Sequence, residues 1–89
     1  MIRKEMIITN KLGLHARAAA KLVQKASTYA SEIYLIHKDK KVNGKSIMGL
    51  MMLAASKGTN IEIIASGEDE SLAMQDLEKL IQDKFGEAE

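Results

Sequence analysis

The chain has 89 residues, thirteen of them basic and twelve acidic, a formal charge of +1, and no cysteine, proline or tryptophan. That length allows one small domain over residues 1–89, with a core built from aliphatics and six methionines because the aromatics are only Tyr29, Tyr34 and Phe85. These counts exclude a disulfide framework, a thiolate metal site, a bilayer-spanning helix and a large multi-substrate enzyme. The near-neutral charge speaks against a nucleic-acid binder.

The first five residues are Met1-Ile2-Arg3-Lys4-Glu5, and Lys11 follows soon after. Charges stand where the apolar stretch of a secretory signal would be, so the cytoplasm is the expected location. Residues 2–8 predict a strand, with Ile2, Lys4, Met6 and Ile8 on one face. Asn10 and Gly13 mark a loop. A helix follows from about Ala16 to Ala26, where Ala19, Leu22, Val23 and Ala26 recur at helical spacing. Residues 32–37 predict a second strand with Ile33 and Leu35 inward. Lys38-Asp39 turns the chain into a short third strand near Lys40 to Val42, which Asn43-Gly44 ends.

A short apolar helix spans about Ile47 to Leu53. Ile61, Ile63 and Ala65 alternate in a fourth strand. Ser66 is placed to open the last helix, with Asp69 completing a capping box three residues on. Ala73, Leu77, Leu80, Ile81 and Lys84 line one face of that helix. Gly86-Glu87-Ala88-Glu89 reads as a polar end that frays. The order is β-α-β-β-α-β-α, which suits an α+β sandwich of a sheet covered on one face.

Two histidines are present. His37 ends a strand among charges and reads as an exposed polar residue. His15 stands between a glycine-containing loop and a helix start, in Gly13-Leu14-His15-Ala16-Arg17. The first N–H groups of a helix lack partners and lie at the positive end of its dipole. Neutral imidazole is a good nucleophile near pH 7. A phosphoryl group on His15 would meet those donors and the Arg17 guanidinium, which can fork onto phosphate oxygens. Such a site suits carrying a group. Taken alone, the same histidine could also be a purely structural cap, and no general base is evident nearby.

Gly44-Lys45-Ser46 matches the end of a phosphate-binding loop, but that loop needs glycine where Asp39 stands. The local reading is that Ser46 caps the short helix, a place where a phosphate dianion is also favourable. Apolar residues cover most of that helix. Leu50 and Leu53 point inward by spacing, leaving Ile47, Met48 and Met51 as a candidate exposed patch, although a fully buried helix fits the same pattern.

Gly13-Leu14-His15-Ala16-Arg17, followed by Lys45-Ser46-Ile47-Met48-Gly49, resembles HPr. This is the family of histidine-containing phosphocarriers of the bacterial phosphoenolpyruvate-dependent phosphotransferase system, and the resemblance covers essentially the whole chain. It implies an open-faced β-sandwich, a four-stranded antiparallel sheet covered on one face by three helices. It implies a stoichiometric carrier with no cofactor, expected to be a monomer outside the membrane. His15 would accept a phosphoryl group on Nδ1 from phosphorylated enzyme I and pass it to enzyme IIA domains, with Arg17 stabilising the phosphorylated state. Ser46 would be the regulatory site of an HPr kinase/phosphorylase. Ile47, Met48 and Met51 would dock partners together with Ala20, Gln24 and Ser27. One departure stands out: the family usually has proline where this chain has Ala18. The alternative within the resemblance is a nitrogen-type or kinase-controlled regulatory protein that acts on partners and not in sugar uptake.

Overall fold

The computed structural model describes residues 1–89. Its elements are β1 (Ile2–Ile7), α1 (Ala16–Ser27), β2 (Glu32–His37), β3 (Lys40–Asn43), α2 (Ile47–Met52), β4 (Asn60–Ser66) and α3 (Glu70–Gln82). A single 3-10 turn, Lys84–Gly86, follows. The strands form one antiparallel sheet in the order β1-β4-β2-β3. This is the open-faced α+β sandwich expected. No helix is long and apolar enough to cross a membrane.

Alternation decides which sheet face is covered. Ile33 and Leu35 of β2 stand beside Ala65 and Ile63 of β4, and Met6 of β1 stands beside Ile61. All six are buried with Ala18, Ala19, Leu22, Ala26, Leu50, Leu53, Ala73, Leu77 and Ile81 from the helical layer. Removing this apolar surface from water is the main driving force, at roughly 25 cal/mol per Å². Lys4 falls on the inward register of β1 but reaches past the core, and its ammonium pairs with Glu78 of α3 at 2.9 Å. On the open face Ile64 is flanked in register by Arg3 and Tyr34 and is itself buried. Arg3 donates to Glu62 at 2.8 Å and Lys41 lies 4.5 Å from the Tyr34 ring, so long polar side chains roof that face.

Several expectations are corrected. Only Met6 and Met74 are buried; Met1, Met48, Met51 and Met52 are exposed. The core is therefore aliphatic, and alanines at the α1 and α3 contacts let the helices sit close to the sheet. Ser66 does not open the last helix, because it is the final residue of β4. The Asp69 carboxylate is taken by the N–H groups of Ala30 and Ser31 and by the Ser31 hydroxyl. The reciprocal half of a capping box falls one residue later, where Glu70 accepts from the Gly67 N–H at 3.1 Å. Lys84 lies beyond α3 in a left-handed conformation, with φ 56°, and so does not extend that helix face.

Candidate functional site

Backbone and amide contacts fix the loop before α1. Asn10, fully buried, donates from Nδ2 to the Gly13 carbonyl at 2.8 Å. Gly13 has φ 66°, a left-handed conformation that glycine adopts without penalty. The Leu14 N–H donates to the Ala55 carbonyl at 2.9 Å, and the Leu14 side chain is buried. The chain then passes through His15 in extended conformation, φ −75° and ψ 177°, and turns into α1.

His15 is the N-cap residue of α1, and its carbonyl accepts from the Ala19 N–H at 2.8 Å. The N–H groups of Ala16, Arg17 and Ala18 meet no backbone carbonyl, and the imidazole makes no capping bond to them. They stay available to an anion at the positive end of the helix dipole. Arg17 is exposed in this first turn. His15 and Arg17 share an open cleft of about 720 Å³ with Lys11, Leu12, Ala16 and the tail residues Glu87, Ala88 and Glu89.

That tail folds back onto the site. After α3 the chain makes a left-handed turn, with φ 56°, 57° and 77° at Lys84, Phe85 and Gly86. Two non-glycine residues in that region cost about 1–2 kcal/mol each. Burial of Phe85, at 1% exposure, and donation from the Lys21 ammonium to its carbonyl at 2.6 Å offset the cost. The turn directs Glu87 back to the loop. One carboxylate oxygen accepts from Asn10 Nδ2 at 2.9 Å, and the other lies 2.5 Å from His15 Nε2. The Asn10 amide, then His15, then the Lys21 charge hold the Glu87 carboxyl below the ordinary glutamate range. Farther out, Lys11 donates its N–H to the Glu89 carbonyl at 2.9 Å and pairs with the Glu89 carboxylate at 3.3 Å. Sequence reasoning missed Glu87. One signal pointed to it: the only phenylalanine stands two residues before it, and a lone large aromatic near a chain end is an anchor to be buried.

Ser46 is the N-cap of α2, and its hydroxyl oxygen accepts from the Gly49 N–H at 3.0 Å. Lys45, which would serve the phosphates in a nucleotide loop, donates instead to the Tyr29 carbonyl at 2.7 Å. Along α2, Leu50 is buried, while Ile47, Met48 and Met51 are exposed at 42%, 74% and 46%, so the helix is not all core. Met52 and Leu12, not singled out in sequence, are also exposed. Helices α1 and α2 pack together. Gln24 and Ser27 on α1 are exposed and Ala20 is half-buried. A shallow hollow lined by Leu12, His15, Ala54 and Ser56 joins the histidine to the end of α2. His37 is half-buried, not fully exposed, and its Nδ1 donates to the Asn60 carbonyl at 3.3 Å.

Comparison with known proteins agrees with this geometry. Residues 2–83 match the family model described as the PTS HPr component phosphorylation site. The chain is 55% identical over 89 residues to a phosphocarrier protein HPr of Neisseria meningitidis, covering all of both chains. It is similar to the crystal structure of a Thermoanaerobacter tengcongensis HPr, with TM-score 0.96, 47% identity and full coverage of both chains. An HPr dimer from the same organism matches with TM-score 0.79 and 48% identity, over 98% of this chain and 100% of that one.

Proposed function

Since the chain belongs to the HPr family, the phosphocarriers of the phosphotransferase system, we propose that it takes a phosphoryl group onto His15 from phosphorylated enzyme I and delivers it to enzyme IIA domains. One observation carries this reading: His15 caps α1 while its ring leaves the N–H groups of Ala16, Arg17 and Ala18 unpaired beside an open cleft. Phosphoryl transfer asks a protein mainly for positioning and for charge opposite the transferring oxygens. The three N–H groups and the Arg17 guanidinium supply that charge. The openness of the cleft suits a group that two partners must reach in turn, and the chain acts as a stoichiometric carrier.

Ile47, Met48 and Met51, with Ala20, Gln24 and Ser27, form the proposed docking face. Its support is the exposed apolar strip on α2 beside α1. Exposed methionines adapt to partners of different shape, which suits a carrier that meets several. Ser46, at the head of that strip, is the proposed site of an HPr kinase/phosphorylase. Its phosphate would put negative charge where enzyme I docks. We place the working carrier in the cytoplasm as a monomer; sedimentation at micromolar concentration tests this against the dimeric arrangement known for the Thermoanaerobacter tengcongensis relative.

The decisive experiment is intact mass after incubation with phosphoenolpyruvate and active enzyme I. A single acid-labile phosphate on the native chain, absent from His15→Ala, is expected. No adduct on either protein would overturn the carrier reading and leave a kinase-controlled binding protein as the better one.

A further inference from the structure

We propose that Glu87 is a positioning residue for His15: its carboxylate holds the imidazole proton on Nε2, keeps the Nδ1 lone pair free to attack phosphorus, and faces the positive charge that the ring acquires. The proposal rests on the carrier reading above and adds to it a residue from the far end of the chain.

The carboxylate is held from several sides. Asn10 Nδ2 reaches it at 2.9 Å, and Asn10 is itself fully buried and fixed to the Gly13 carbonyl at 2.8 Å. The segment behind it is anchored by buried Phe85 and by the Lys21 ammonium on the Phe85 carbonyl. Glu87 and His15 side chains are 17% and 27% exposed, which shelters their contact from competing water.

An ionised carboxylate only accepts hydrogen bonds. The contact at 2.5 Å between Oε2 and Nε2 therefore requires a proton on Nε2. A neutral imidazole carries one N–H, so the other nitrogen, Nδ1, carries the lone pair. The ring makes no capping bond to its own helix, and Nδ1 remains unengaged. The opposite tautomer would set two acceptors face to face across the contact.

The transfer step balances without a general base. The Nδ1 lone pair forms the nitrogen–phosphorus bond while the bond from phosphorus to the enzyme I donor breaks, its electron pair leaving with the donor. The ring becomes an N-phosphoimidazolium that still carries its proton on Nε2, facing Glu87. On delivery the nitrogen–phosphorus pair returns to the ring, which is neutral again with the same proton in place. No proton moves to or from Glu87. This explains how His15 works with no base beside it in sequence, by the orienting role that a carboxylate plays behind a histidine in hydrolase triads.

The test uses the full chain and compares native protein, Glu87→Gln and Glu87→Ala. The 15N shifts of the His15 ring report its tautomer at a pH where the ring is neutral, and the phosphorylation rate is measured with enzyme I and phosphoenolpyruvate. Native protein is expected to hold the Nε2–H tautomer. Glu87→Ala should lose that bias and slow phosphorylation by about tenfold, near the lower worth of a charge-assisted hydrogen bond. Glu87→Gln, whose amide oxygen still accepts, should keep the tautomer and fall between the two in rate. A dominant Nδ1–H tautomer in native protein would overturn the proposal. So would an unchanged tautomer ratio, or an unchanged rate, in Glu87→Ala. If native protein itself takes no phosphate from active enzyme I, the carrier reading fails first, and the tautomer ratio is not the cause.

Discussion

The carbonyl oxygen of Ala55 stands 2.4 Å from where a Cβ on Gly13 would lie, while the same oxygen accepts from the Leu14 N–H at 2.9 Å. The turn that presents His15 is thus pressed against the segment that leaves α2. The two halves of the site share this backbone contact.

Gly13→Ala should therefore cost about 2–3 kcal/mol, from the left-handed conformation and the clash with Ala55 together. Urea unfolding measures this. A loss below about 0.5 kcal/mol, the range of an ordinary surface change, would mean that the loop yields freely.

Phe85→Ala should cost about 3–5 kcal/mol, the usual range for a fully buried phenylalanine. It should also release the tail, because the left-handed turn loses the burial that offsets it. Hydrogen exchange at the Lys11 amide, bonded to the Glu89 carbonyl, should accelerate in this variant. Continued protection there would show that the polar contacts of Lys21, Glu87 and Glu89 hold the segment without Phe85.

The tail contact should respond to acid in a defined direction. The folded Glu87 carboxyl titrates below its ordinary value because Asn10 and His15 bond it and the Lys21 charge faces it. Its contribution to stability is then complete above the unfolded value of about pH 4.3. It is lost as pH falls through the lower folded value. Native protein and Glu87→Gln should differ above about pH 4.3 and converge in stronger acid, as the carboxylate that faces His15 is protonated. Lys11 and Glu89 pair at the outer end of the same tail, so Glu89→Gln is the control that removes their share. A gap that widens as pH falls below about 4.3 would contradict the assignment.

Ser46→Asp should slow His15 phosphorylation by enzyme I through like-charge repulsion at the docking face, by about tenfold for one to two kcal/mol of penalty. Met48→Asp should weaken enzyme I binding similarly while leaving stability within about 0.5 kcal/mol, since Met48 is 74% exposed. An unchanged rate in Ser46→Asp would remove the proposed antagonism between the two sites.

The fold was readable in the sequence wherever period and turn chemistry agreed. Ile33-Tyr34-Leu35 and Ile61-Glu62-Ile63 alternate cleanly and pair as the pattern requires. The Ser46 cap falls where the spacing places it, while β3 runs one residue farther than expected, into Asn43. The start of α3 was misplaced because Ser66 and Asp69 have capping spacing, yet the Asp69 carboxylate is drawn off by Ala30 and Ser31. Local spacing cannot register that competition across the fold. His15 and Arg17 were legible as a loop–helix junction. Glu87 was not, since 72 positions separate it from the ring it touches, and the lone Phe85 two residues earlier is the one local sign that the segment docks.

The left-handed turn at Lys84–Gly86 also marks where the chain leaves the helical layer for the site. The residue it delivers to His15 lies outside the 2–83 stretch by which the family is recognised. Two carriers can therefore share sheet, helices and signature motifs and still differ in the electrostatic setting of the histidine. A change confined to the last few codons would alter the charge facing the ring while sheet and helices stayed as they are.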